Sequence, residues 1–161
     1  MIETMDAVLR SVTAADRSRV DWTADQHLRD LGWSTVRANA AGGWTEWSKQ
    51  GRTAFTSVWP EGEAIELEDV IHWPDDGEDR AGVYEGFEAA YRQLVAEVGR
   101  AYGPAAFEAE YGASEVPVPV PGQFERAAVW PLEPWGLMVT IQQEDKEAPL
   151  RLSVWCYRAR R

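Results

Sequence analysis

The spacing of apolar positions along the chain alternates between a helical and a strand period. Met5, Val8, Leu9 and Val12 fall on one face of a helix, which predicts a short amphipathic helix over about Glu3 to Arg17. Thr23 with Gln26 three residues later has the form of a capping box. The run TADQHLRDLGW that it opens ends near Gly32, so a second helix of about two and a half turns is predicted. From Ser34 the period shifts towards two: STVRANA, a glycine turn at Ala41-Gly42-Gly43 and WTEWSKQ read as a hairpin. Gly51 leads into RTAFTSVW, Pro60-Glu61-Gly62 closes that strand, and another strand is predicted over Ala64 to Trp73. Connections this short require mostly antiparallel pairing, because parallel neighbours need crossovers of a dozen or so residues.

Val83, Phe87, Ala90, Tyr91, Leu94, Val98 and Tyr102 return to helical spacing and predict the longest helix over Gly82 to Tyr102, stopped by Gly103-Pro104. Val and Pro then alternate, which excludes both a helix interior and a central strand. Glu115 to Gly122 therefore reads as an extended, polyproline-like connector across the surface. Three strands are predicted to finish the chain: Gln123 to Leu132, Trp135 to Gln143 and Leu150 to Arg158. The fold class is α+β, a mostly antiparallel sheet of about six to seven strands with N-terminal helices and one long helix packed on one face, in the order αα-ββββ-α-βββ. The chain has 161 residues and no internal repeat, and three strands beyond the connector are marginal alone, so a single domain over 1–161 is expected.

Charge changes this picture at one place. Glu61 to Asp79 holds nine carboxylates and no Lys or Arg; removing those nine from the 27 acids leaves 18 against 16 Lys and Arg, and the net charge falls from -11 to -2. Ile65, Leu67, Ile71 and Trp73 recur within it at even spacings. They predict a strand fixed by its apolar face, with Glu66 and Glu68 projecting together from the opposite face. Asp75, Asp76, Glu78 and Asp79 would extend that acidic patch beyond the strand end, with Trp73 as its anchor. These seven residues are the expected partner-binding site.

The remaining composition bounds the chemistry. A content of 45% apolar and 27% charged residues is that of a soluble globular protein, and the acidic excess argues against nucleic acid as a ligand. Charges at Glu3, Asp6 and Arg10 oppose a secretory leader, and no apolar run is long enough for a membrane span. The single cysteine, Cys156, lies in an apolar strand and provides neither a disulfide nor a cysteine metal site, so a reducing cytoplasm is expected. His27 and His72 stand apart with no second ligand at metal spacing. The acids at 75 to 79 depart from a calcium loop: Gly77 comes too early and no glutamate occupies the closing position. Paired carboxylates suited to glycoside hydrolysis lack a positioned cleft, and no nucleophile elbow, phosphate-cradling glycine loop or HExxH motif occurs. No catalytic residue and no cofactor is therefore expected. Nine tryptophans stand out, and strand parity prevents all of them from sharing one core: Trp44 and Trp47 face opposite ways, and Trp155 opposes Leu152, Val154 and Cys156.

The motifs Asp21-Trp22, Leu31-Gly32-Trp33, Tyr102-Gly103-Pro104 and Trp135-Gly136-Leu137 resemble those of small actinobacterial proteins of unknown function with this order of helices and strands. Such proteins are similar to immunity proteins of polymorphic toxin systems in size, acidity and richness in Trp. The resemblance implies a cytoplasmic, non-enzymatic inhibitor that occupies the active or substrate-binding surface of a basic toxin domain. The alternative function is a secretion-associated chaperone or adaptor that holds a client segment in extended form.

Overall fold

The computed structural model describes residues 1–14, 19–109 and 116–159. Helices α1 (Glu3–Thr13) and α2 (Ala24–Asp30) precede four strands: β1 (Ser34–Asn39), β2 (Trp44–Lys49), β3 (Arg52–Trp59) and β4 (Gly62–His72). Helix α3 (Arg80–Tyr102) follows, then β5 (Phe107–Ala109), β6 (Arg126–Trp130), β7 (Gly136–Gln142) and β8 (Leu150–Ala159). All eight strands form one antiparallel sheet in the order β1-β2-β3-β4-β8-β7-β6-β5. Two meanders, β1 to β4 and β5 to β8, are thus joined side by side through β4 and β8, the two longest strands.

The α+β class and antiparallel pairing agree with the periodicity, but the strand count does not. The expected six to seven strands become eight because β5 lies in a stretch that reads as a connection; three residues are too few to display a period. Helix α1 ends at Thr13 rather than near Arg17, and residues 15–18 lie outside the described residues. Glu115, where the connector was expected to begin, lies outside them too.

All three helices pack on one face of the sheet. Met5, Val8, Leu9 and Val12 of α1, Leu28 of α2, and Phe87, Tyr91, Leu94 and Val98 of α3 close over Trp47, Ile65, Leu67, Leu137, Val139, Leu152, Val154 and Cys156 in one continuous core. The start of α2 is pinned twice. Thr23 and Gln26 complete the capping box, and the Ala24 backbone N–H donates to Glu63 Oε2 of β4 at 3.0 Å, which places a carboxylate at the positive end of the helix.

The second face is divided. Over β6 to β8 it is roofed by the connector: Val116, Val118, Val120 and Phe124 pack on Ala64, Ala127, Val129, Met138, Trp155 and Tyr157, while Pro117, Pro119 and Pro121 point outward. Trp155 is thereby buried against Phe124, ring centroids 6.1 Å apart, and its indole N–H donates to Thr140 Oγ1 at 3.0 Å. Over β2, β3 and the far half of β4 no such roof is present among the described residues, and Trp44, Phe55 and Ile71 remain only partly covered.

Candidate functional site

The acidic strand β4 carries a bulge that decides where its side chains go. Leu67 faces Val154 and Glu68 faces Ser153, but Val70 faces Leu152 and Ile71 faces Arg151, so Asp69 is an extra residue in the ladder. One inserted residue reverses the parity of everything after it. The expected common face of Ile65, Leu67, Ile71 and Trp73 is therefore corrected: Ile65 and Leu67 enter the helical core, whereas Ile71 emerges on the open face beside Glu68.

Glu66 departs from expectation too. It is only 5% exposed, and its Oε1 accepts from Ser153 Oγ at 2.8 Å and from Gln142 Nε2 at 3.0 Å, with Arg151 Nη1 3.4 Å away. It is a structural carboxylate held by β7 and β8 rather than a surface charge. Burial raises its pKa, against the opposing pull of Arg151 and the Ser153 hydroxyl. Glu63 is buried likewise, with Arg158 Nε and Nη2 each 2.7 Å from its Oε1.

The other predicted positions lie at or near the surface. Trp73 is 65% exposed, and Val70 and Ile71 are 39% and 40% exposed, so three of four consecutive positions from 70 to 73 present large apolar side chains to solvent. Asp75, Asp76 and Asp79 are exposed in the loop that follows. Glu78 turns back to His72, whose Nε2 lies 2.6 Å from Glu78 Oε2; this contact holds the Glu78 carboxyl below its usual pKa range and ties the loop to the end of β4. Glu68 is half-buried, and burial raises its pKa, with Arg151 opposing and Glu46 adding to the rise.

Phe55, Glu68, Ile71, Trp73, Glu144, Ala148, Pro149 and Arg151 line a groove of about 240 Å³ on the open face. Phe55 follows from the parity of β3, where it stands opposite the buried Ala54. Glu144 and Pro149 come from the β7–β8 connection and Arg151 from the start of β8, and their proximity to β4 has no local signal in the sequence. No family model, no curated protein and no solved structure matches the chain.

A larger depression of about 590 Å³ lies at the opposite end of the sheet, between Asp21 and Thr23, the prolines 117, 119, 131 and 134, and Tyr157. Its innermost ionisable pair is engaged with the protein itself. Besides Glu63, Arg158 donates to the carbonyls of Val20 at 2.6 Å and Trp22 at 2.8 Å, and it stacks on Trp135 at 4.6 Å. This arrangement clamps the segment before α2 to β8. Cys156 is wholly buried, and burial pushes its thiol pKa up, so it presents no thiolate. Among the described residues no group of three or more His, Cys, Asp or Glu is placed to hold a metal ion, and no helix is long and apolar enough to cross a membrane.

Proposed function

We propose that this chain is a stoichiometric protein-binding inhibitor of the immunity type, acting in the cytoplasm on a basic toxin domain. The observation that carries the reading is the exposed pair Ile71 and Trp73 on the open face, followed along the chain by the exposed Asp75, Asp76 and Asp79. A contiguous apolar patch rimmed by charge is what a docking surface presents, and an exposed tryptophan is the residue type that most often dominates binding energy. The acidic loop steers a basic domain towards the patch, and burial of Trp73 slows its departure. Glu66, being buried, is not part of this surface.

The test is affinity capture from the native host, followed by binding measurements with Trp73→Ala and with Asp75, Asp76, Glu78 and Asp79 reversed to Lys. A folded basic partner whose activity is abolished, whose association rate falls with salt and with the reversals, and whose dissociation quickens in Trp73→Ala supports the reading. A partner indifferent to salt and to all of these changes refutes the mechanism. A chaperone or adaptor is the second reading, and the place of β1 at one end of the sheet favours it, since its outer edge pairs with no strand among the described residues. That function requires an unfolded client segment in the captured complex.

A further inference from the structure

The protein stacks arginine on aromatic rings in a repeated way. Arg19 lies over Trp22, Arg29 over Trp47, Arg37 over Trp44, Arg126 over Tyr91 and Arg158 over Trp135, at 4.6 to 5.6 Å from the ring centroids. Each of these five guanidinium groups is also ion-paired: with Asp30, Asp25, Glu46, Glu88 and Glu63 respectively. An aromatic ring beside a carboxylate is therefore, in this molecule, a seat for arginine. The chemistry is general, because a guanidinium is planar enough to stack and donates in its plane to a carboxylate at the same time.

The groove on the open face has the same two components, and the one arginine that lines it, Arg151, is stacked on neither ring. Trp73 and Phe55 supply rings and Glu68 supplies a half-buried carboxylate, with Glu144 exposed at the rim. Glu68 has no ion-pair or hydrogen-bond partner among the described residues, although burial makes an unpaired carboxylate costly. The neighbouring Arg151 is committed elsewhere, to Glu66 at 3.4 Å and Glu144 at 3.9 Å. Arg37 on Trp44, paired with Glu46, shows the completed arrangement two strands away on the same face.

We infer that the groove formed by Phe55, Glu68, Ile71 and Trp73 receives an arginine side chain of the partner protein, stacked on Trp73 and ion-paired with Glu68. This deepens the docking reading and rests on it. Charge complementarity selects the occupant: the groove carries Glu68 and Glu144 against the one Arg151, Asp75 and Asp76 follow Trp73 in the chain, and a net charge of -11 repels a second copy.

The experiment uses the full chain labelled with nitrogen-15 and a hexa-arginine peptide as probe, with hexalysine and hexaglutamate as comparisons. The Trp73 indole resonance is assigned by its loss in Trp73→Phe. Saturable shifts confined to that resonance and to the backbone amides around Glu68 and Ile71 are expected, with hexalysine binding more weakly and hexaglutamate not at all. Glu68→Gln and Trp73→Ala should each weaken hexa-arginine by about three- to five-fold, the scale of one exposed cation–π contact or ion pair. Shifts spread evenly over the acidic surface, equal binding of hexalysine, or unchanged affinity in Glu68→Gln overturns the inference. The two readings fail separately. A captured basic partner that ignores Glu68→Gln removes the arginine seat and leaves the docking reading, whereas a groove that binds hexa-arginine in a chain that inhibits no partner does the reverse.

Discussion

His27 makes the folded state sensitive to acid, with a sign that can be worked out. The imidazole is 1% exposed, enclosed by Trp22 and Trp135 with ring centroids at 5.8 and 5.6 Å, and its Nδ1 lies 2.8 Å from Ser11 Oγ. Its Nε2 has no hydrogen-bond partner among the described residues. Burial first, then the charges of Arg158 and Arg19, lower its pKa from 6.5 to about 4, with Glu63 and Asp30 opposing. Between those two values the unfolded chain binds a proton that the native state refuses, so stability is full above pH 6.5 and falls as the pH drops towards 4. At about 1.4 kcal/mol per pKa unit the loss is ~3 kcal/mol, and below pH 4 it levels off.

His27→Asn is the reference variant, because its side chain can keep the bond to Ser11 and cannot titrate. Its packing defect is independent of pH, and the carboxylates cancel in the comparison, so the measured quantity is the change in the stability difference with pH. Urea unfolding followed by tryptophan fluorescence supplies it, extrapolated linearly at each pH from about 4 to 7.5. The wild-type advantage should shrink by about 3 kcal/mol as the pH falls across this range, most steeply near its middle. A difference that stays flat, or one that grows towards acid, refutes the placement of a neutral imidazole between two arginines.

Glu66 titrates with the opposite consequence: its raised pKa means that the native state holds a proton more readily than the unfolded chain, so its contribution is lost as pH rises above 4.5. Glu66→Gln should therefore gain in stability relative to the wild type between pH 4 and 7 in the same unfolding assay. Val120→Asp buries a charge under the connector roof and should cost about 3 kcal/mol or more, with a red-shifted fluorescence as Trp155 is uncovered. Trp73→Ala should leave unfolding unchanged within about 0.5 kcal/mol, because the ring is exposed, while costing about 2 kcal/mol or more in binding to the captured partner.

Elements with a sustained period were legible in the sequence, and so was the Thr23–Gln26 capping box, because each is written by neighbouring residues. The bulge at Asp69 was not. Leu67 and Ile71 are four positions apart, an even step that looks like continued alternation and conceals the reversal of face between them. The burial of Glu66 was hidden for a different reason: Gln142 and Ser153, which hold it, lie 76 and 87 residues away, and only the pairing of β4 with β8 brings them together. The Val-Pro alternation excluded a helix and a central strand, but the extended course expected for it is broken by bends at 117–119 and by the Val118 N–H bonding back to the Val116 carbonyl. That its valines would cover Trp155, and so confine the open surface to the other half of the sheet, depends on tertiary placement.

The placement of the two bulges bears on which partner the sheet can take. A client strand added at the β1 end of the sheet would meet an edge that is itself broken: Thr35 faces Trp47 and Arg37 faces Glu46, leaving Val36 as an extra residue. A bulged edge carrying a charged residue is how sheets discourage strand addition. The bulge in β4 works the other way, since it turns Ile71 out of the core and onto the open face, where it lines the groove with Trp73, Phe55 and Glu68. One irregularity disrupts the β1 edge and the other opens the face. A partner that binds through protruding side chains suits this geometry better than one that contributes a backbone strand, which weighs for the folded basic domain over the extended client.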